Sequence, residues 1–120
     1  GVMNRQELLK TFREAWGVRR EPFWLSLHDN LLCIYSKRVR NIGSVYLNKP
    51  DSDDWRLIGV IMEWLADAGL EPCLDCCLDY EAHAWTVVCD SCDDQGRDAD
   101  PLCAVVKLAL LVLDEDATNE

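Results

Sequence analysis

The stretch DPLCAVVKLALLVL, residues 100–113, decides how this chain folds. Eleven of the twelve residues that follow Pro101 are apolar, and the exception is Lys107. Asp100 can accept hydrogen bonds from the free amides of a first helical turn, and Pro101 suits the first helical position because no N–H is needed there. A helix that is apolar on nearly every side must be covered on nearly every side. The stretch is shorter than the about 20 apolar residues that span a bilayer, so it predicts a central core helix, alone or shared with a second subunit.

Length and composition favour one ordinary cytoplasmic domain. With 49% apolar residues in 120, the chain can form its own core, and we expect a single domain over 1–120. Gly1-Val2 is interpreted as a cloning remnant before a natural start at Met3, and 115–120 as a frayed acidic tail. The sequence shows no signal peptide or long apolar run. Seven cysteines, an odd number without a signal sequence, favour reduced thiols over disulfides.

The formal net charge of -10 is divided unevenly along the chain. Residues 1–50 carry nine Lys/Arg and four Asp/Glu, a net of +5, whereas residues 51–120 carry three and eighteen, a net of -15. One interpretation is that the halves neutralise each other in the fold and that acidity serves solubility. The other is that charge selects the partner: the acidic half repels nucleic acid and anionic membranes, and attracts a protein that itself holds nucleic acid.

Two further helices are predicted, over 5–16 and 53–68. Asn4 caps the first helix and Asp51 or Ser52 caps the second, and a glycine follows each helix. The residues at helical spacing are Leu8, Leu9, Phe12 and Trp16 in the first helix, and Trp55, Ile58, Met62 and Leu65 in the second.

Short apolar segments between the helices predict an α+β fold, in which a four- to five-stranded antiparallel sheet is packed by about three helices. Residues 93–100 are predicted to be an acidic connection. Each half has a helix, then Glu-Pro, then two strands, so a duplication of 1–50 in 51–92 is left open. The predicted strands are Phe23–Leu27, Leu31–Tyr35, Ser44–Leu47, and a hairpin of Pro72–Asp79 with Ala84–Asp90 around residues 80–83.

Four cysteines have the spacing of zinc ligands, in the pairs Cys73-x-x-Cys76 and Cys89-x-x-Cys92. However, the pairs lie in predicted strands, where residues three apart point to opposite faces. A hairpin that turns at residues 82–83 would place Cys73 opposite Cys92 and Cys76 opposite Cys89. This geometry favours buried reduced thiols, and we predict no metal; a zinc site is the alternative.

Other chemical groups give no catalytic pattern. His28 and His83 fall at predicted turns, and no local signature supports a Cys–His nucleophilic pair. Asp51, Asp53 and Asp54 could bind a divalent ion, but capping of the second helix already explains them. We therefore expect neither an enzyme nor a cofactor.

The second half resembles the phage ABA sandwich domain family of small phage and prophage proteins. The resemblance covers about residues 48–115 and depends on DSDDW at 51–55, a hairpin that carries Trp85, and ADPLCAVVKLALL at 99–111. It implies a phage or prophage origin and an antiparallel sheet packed by helices. The family is not tied to a reaction, so the resemblance assigns no catalytic residue.

Charge and resemblance together predict a phage-encoded, non-enzymatic inhibitor of a bacterial defence complex, of the anti-CRISPR type. It would act in the host cytoplasm, as a monomer or homodimer, on a basic nucleic-acid-handling surface, with no direct contact to nucleic acid or membrane. The alternatives are a phage accessory protein that self-associates and a zinc-stabilised protein-binding module. The predicted partner-binding residues are Asp75, Asp79, Asp90, Asp93, Asp94, Asp98 and Asp100.

Overall fold

Three helices and six strands alternate along the described part of the chain, so the α+β class is confirmed. The computed structural model describes residues 3–79, 82–89 and 95–118; for 77–79, 82–84, 89 and 116–118 it describes the backbone alone. The elements in chain order are α1 (Arg5–Trp16), β1 (Trp24–His28), β2 (Leu31–Tyr35), β3 (Asn41–Tyr46), α2 (Asp54–Asp67), β4 (Pro72–Asp79), β5 (Ala82–Cys89), β6 (Gln95–Asp98) and α3 (Pro101–Thr118).

The strands form two antiparallel sheets, and the prediction of one four- to five-stranded sheet is wrong. β2 lies between β1 and β3, β5 lies between β4 and β6, and no ladder joins the two sheets within the described ranges. The reason lies in α2, which follows β3 and packs against both β3 and β4. Because α2 occupies this position, β4 begins a second meander against α3 and does not extend the first sheet.

β6 lies in the segment that was predicted to be an acidic connection. Its four residues are polar or glycine, so they carry no apolar alternation that would indicate a strand. The strand nevertheless pairs with β5, and Gly96 lies opposite Val87. A Cβ atom on Gly96 would lie 1.9 Å from the Ala104 carbonyl oxygen. The absence of a side chain therefore lets β6 pack directly on the backbone of α3.

α3 is the central helix of the fold, as the sequence predicts. It packs against α1, α2, β5 and β6. Asp100 Oδ1 accepts a hydrogen bond from Leu102 N at 2.9 Å, so the predicted cap is confirmed. The residues of its buried face are Leu102, Cys103, Ala104, Val105, Val106, Leu108, Ala109, Val112 and Leu113.

All three helices start close together, and α1 and α2 run in the same direction. Arg5, in the first turn of α1, bonds both Asp54 at the start of α2 and Asp100 at the start of α3. At the other end, the rings of Trp16 and Trp64 meet at 5.0 Å, near the ends of α1 and α2. The partial positive charges of three helix N-termini therefore converge in one place, where carboxylates are stabilising.

The start of α2 differs from the prediction. Its N-cap is Asp53, with no side-chain capping bond. Instead, Asp53 Oδ2 accepts a hydrogen bond from Ser44 N at 3.2 Å, which ties the helix to β3. Trp55, predicted to lie in the apolar stripe, is 50% exposed, and Leu57 and Ile61 are buried in its stead.

The topology repeats along the chain. α1 and α2 are each followed by Glu-Pro and then by a three-stranded antiparallel meander. The repeat is longer than the helix and two strands that the sequence indicates, because β3 and β6 belong to it. The two segments thus have the same order of elements, a helix and then three strands. Whether their sequences arose by duplication is left open.

Candidate functional site

The seven predicted partner-binding aspartates do not form one surface within the described residues. Asp98 Oδ2 makes an ion pair with Lys107 Nζ at 2.9 Å, and Asp100 is bonded to Arg5 and to the first turn of α3. Asp75 is exposed on β4. Asp79 ends β4, and only its backbone is described. The other three, Asp90, Asp93 and Asp94, lie outside the described residues.

A nearly buried ion cluster, here called the Arg5 junction, joins Arg5, Asp54 and Asp100. Arg5 Nη2 lies 2.8 Å from Asp54 Oδ1 and Nη1 lies 2.9 Å from Asp54 Oδ2, a bidentate pair. Nη1 also lies 2.7 Å from Asp100 Oδ2. Nε and a second N–H of Nη2 donate to the Tyr46 carbonyl oxygen at 3.0 and 2.8 Å. One guanidinium thus holds the starts of three helices and the end of β3 together.

Electrostatics explains why this cluster is stable. Burial alone would lower the pKa of Arg5, but hydrogen bonds and charge from Asp54 and Asp100 outweigh burial and raise it. Asp54 is only 3% exposed, so its charge needs this partner. Two carboxylates also face the converging helix N-termini. The sequence indicates Asp100 as a cap, but no local pattern pairs it with a residue 95 positions earlier.

A shallow cleft of ≈ 330 Å³ lies beside the junction, between the starts of α2 and α3. It brings Asp98 and Asp100 together with Asp51 and the half-exposed Trp55. Among the residues that the structure describes, no group of three or more His, Cys, Asp or Glu could hold a metal ion. The cleft therefore offers carboxylates and one aromatic ring, both of which suit contact with a partner protein.

The predicted register of the cysteine hairpin is wrong. Cys73 lies opposite Val88 and Cys76 lies opposite Trp85, whereas Cys89 pairs with Pro72. The register is shifted because β5 already begins at Ala82, which pairs with Asp79, two residues before the predicted strand start at Ala84. Cys92 lies outside the described residues.

The prediction of buried thiols in the hairpin is wrong for Cys73 and Cys76, which are exposed. The buried cysteines among the described side chains are Cys33 and Cys103, which lie outside the hairpin. Burial, followed by the charge of Asp100, raises the pKa of Cys103 from 9.0 to about 12. That thiol therefore stays protonated and unreactive at neutral pH.

The histidines occupy different positions from those predicted. His83 belongs to β5, where it pairs with Leu78, so the prediction of a turn is wrong. His28 is the exposed last residue of β1, next to the turn, and its Nε2 lies 2.9 Å from Ser26 Oγ.

The two halves of the chain share few ion pairs. Among pairs between described side chains, those that join residues 1–50 to residues 51–120 both use Arg5. The other three pairs lie within one half: Lys37 with Glu21, Arg56 with Asp53, and Lys107 with Asp98. The interpretation that the halves neutralise each other thus finds support at a single arginine.

Comparison with protein-family models, curated proteins and solved structures gives no match. No helix in the described ranges is both long and apolar enough to cross a membrane. The function must therefore be inferred from the chain's own charge and surfaces.

Proposed function

We propose that this chain is a non-catalytic, phage- or prophage-encoded inhibitor that binds a basic nucleic-acid-handling surface of a bacterial defence complex, as an anti-CRISPR protein does. It acts in the host cytoplasm. In this proposal the carboxylates of residues 51–120 take the positions that phosphates occupy against Lys and Arg of the target.

The observation that carries the proposal is the segregation of charge. Residues 51–120 have a formal net charge of -15, and among pairs between described side chains only Arg5 of the basic half neutralises any of it. A strongly negative surface steers association with a basic partner and repels free nucleic acid.

Asp98 and Asp100 are poor choices for testing the contact surface. Both stabilise the fold, through Lys107 and Arg5 respectively, so their substitution would confound binding with folding. The predicted residues that remain are Asp75 and Asp79 on β4, and the run Asp90, Asp93 and Asp94.

The test is displacement of labelled target DNA from a panel of purified guide-loaded CRISPR effector complexes. We expect the chain to release DNA from at least one complex. The triple variant Asp90→Asn, Asp93→Asn, Asp94→Asn should inhibit that complex at least about tenfold more weakly, because a hydrogen bond to a charged group contributes ~1.5–3 kcal/mol.

A matched control removes the same number of charges from the other half. Glu7, Glu14 and Asp29 are exposed, and the variant Glu7→Gln, Glu14→Gln, Asp29→Asn should inhibit as the parent does. Equal loss in both variants would show that net charge alone acts. Absence of inhibition across the panel would refute an anti-CRISPR role.

A self-associating accessory protein is the second candidate, favoured by one apolar surface. Leu111 of α3 is 42% exposed and Met3 is 39% exposed. Both line a groove between α1 and α3 with Leu110 and Ala15. Sedimentation velocity decides: a dimer that Leu111→Glu converts to monomer supports this candidate, and a monomer at high concentration rejects it.

A further inference from the structure

The first sheet has an outer face that no described helix covers. Pairing partners in an antiparallel sheet point to the same side, and Gly43 pairs with the buried Ile34 on the inner side. A Cβ on Gly43 would lie 2.7 Å from a side-chain carbon of Arg56, so α2 packs on that inner side. Trp24 and Tyr35 pair with each other on the opposite side.

The residues of this outer face are aromatic or small and polar. Because side chains alternate along each strand, the face carries Trp24, Ser26, His28, Leu31, Cys33, Tyr35, Ser44 and Tyr46. All of these except Cys33 are half-buried or exposed. The rings of Trp24 and Tyr35 stack across the strands with centroids 5.4 Å apart and planes 12° apart. The rings of Trp24, Tyr35 and Tyr46 are thus half-buried on a side of the sheet that no described helix covers.

Cations lie against the same rings. The Arg20 guanidinium lies 5.8 Å from the centre of the Trp24 ring, and Lys49 Nζ lies 4.6 Å from the centre of the Tyr46 ring. These contacts place positive charge directly beside the half-buried rings.

The segment that forms the face is basic within an acidic protein. Residues 18–49 contain six Lys/Arg and two Asp/Glu, a net of +4. One of those carboxylates, Glu21, is paired with Lys37, and Lys37 lowers its pKa. Since charges are screened within about 8–10 Å at physiological salt, this face can attract an anion although the whole chain is negative.

We propose that the outer face of the β1–β2–β3 sheet binds single-stranded nucleic acid. Phosphates lie on the cations Arg20 and Lys49, which already adjoin the outer-face rings, and bases stack on the rings of Trp24, Tyr35 and Tyr46. This departs from the expectation of no direct nucleic-acid contact, and it stands independently of the acidic half's proposed function. A second copy of the chain, docking its acidic half here, would satisfy the cations but would leave the rings unused, so nucleic acid is favoured.

The experiment is fluorescence anisotropy of labelled 12-nucleotide single-stranded DNA, single-stranded RNA and duplex DNA with the intact chain at low salt. We expect either single strand, or both, to bind more tightly than the duplex, and affinity to fall as salt rises. Comparison of the DNA and RNA arms identifies which nucleic acid the face prefers.

Two variants, each with a matched control, locate the site. Arg20→Glu with Lys49→Glu, both exposed, should weaken binding at least about tenfold, because phosphate contacts supply most of the affinity. Lys10→Glu with Arg13→Glu makes the same charge change on exposed residues of α1. This control should weaken binding by about twofold or less, because it changes only the net charge of the chain. Trp24→Leu should weaken binding about five- to tenfold through lost stacking, whereas Trp55→Leu should not.

Circular dichroism verifies that each variant is folded. Absence of binding to both single strands, equal loss in the two charge pairs, or preference for the duplex would overturn the proposal. Sedimentation velocity of the free chain tests the alternative occupant. Self-association that Arg20→Glu with Lys49→Glu abolishes, without oligonucleotide binding, would assign the face to a second copy.

Discussion

At the scale of single residues, Arg5 has the widest structural role. Its guanidinium bonds Asp54, Asp100 and the Tyr46 carbonyl oxygen, and so connects three helix starts with the end of β3. The sequence could indicate the caps Asn4 and Asp100, because a cap and its helix are neighbours in the chain. It could not indicate the Arg5 junction, because the partners are 49 and 95 positions away.

Removing the guanidinium should therefore be costly. Arg5→Met should lower the free energy of unfolding by about 3–5 kcal/mol, because Asp54 would stay buried without a partner. Arg13→Met, on the exposed side of the same helix, should change it by about 0.5 kcal/mol or less. Urea denaturation measures both values, and similar losses in the two variants would contradict a structural role for the junction.

Cys103 should give stability a pH dependence in the alkaline range. Its thiol has a pKa of about 12 in the fold against an ordinary 9.0, so the unfolded chain loses this proton first as pH rises. The contribution is complete below pH 9.0 and is lost toward pH 12, with a slope of at most about 1.4 kcal/mol per pH unit.

The measurement is the free energy of unfolding against pH for the parent and for Cys103→Ala. The variant should fall less steeply than the parent above pH 9.0, whatever its stability at neutral pH. Parallel curves would show that the thiol ionises equally in both states.

At the scale of elements, the sequence predicted the helices that combine a cap with apolar residues at helical spacing, and it did not predict the strand that has no apolar alternation. The helices at 5–16 and 101–113 were predicted with the correct starts, because each combines a cap with an apolar helical period. β6 carries no such period, and contact with α3 at Gly96 is what places it. The cysteine hairpin was predicted with the wrong register, since strand pairing depends on the turn more than on cysteine spacing.

Gly96 tests how β6 is held. Gly96→Ala should lower the free energy of unfolding by at least about 1–3 kcal/mol, because the new Cβ would collide with the α3 backbone at Ala104. Gly59→Ala is the matched control: a Cβ at Gly59, inside α2, meets nothing within 4 Å.

The control should change stability in the opposite direction. Alanine in a helix interior is favoured over glycine by about 0.8–1.0 kcal/mol, so Gly59→Ala should raise the melting temperature. Thermal unfolding of both variants distinguishes close packing from a general effect of the added methyl group. A neutral Gly96→Ala would mean that β6 does not pack directly on α3.

At the scale of the whole molecule, positive charge is concentrated in the first part of the chain and negative charge in the second. The core joins all three helices and both sheets, whereas the formal charge divides into +5 over residues 1–50 and -15 over residues 51–120. The asymmetry was visible in the sequence, but composition could not tell whether the halves neutralise each other. Among the ion pairs between described side chains, those that join the two halves are made by Arg5.

The aromatic outer face of the first sheet could not be predicted from the sequence, because it depends on strand register. Trp24, Tyr35 and Tyr46 come from three strands, and only the register brings them to one side. Aromatic residues in strands usually indicate core, so the sequence favours burial of these rings. Strand register therefore assembles a face that no single segment of the sequence indicates.

The central claim is that the acidic half binds a basic surface through charge, and salt dependence tests it most directly. The measurement is the dissociation constant for the effector complex that the chain inhibits, at 50, 150 and 500 mM NaCl, roughly spanning the range over which exposed charges become screened. The account predicts that affinity falls steadily across the series, and falls less for the Asp90, Asp93 and Asp94 triple variant. An affinity that is the same at all three concentrations would contradict the account.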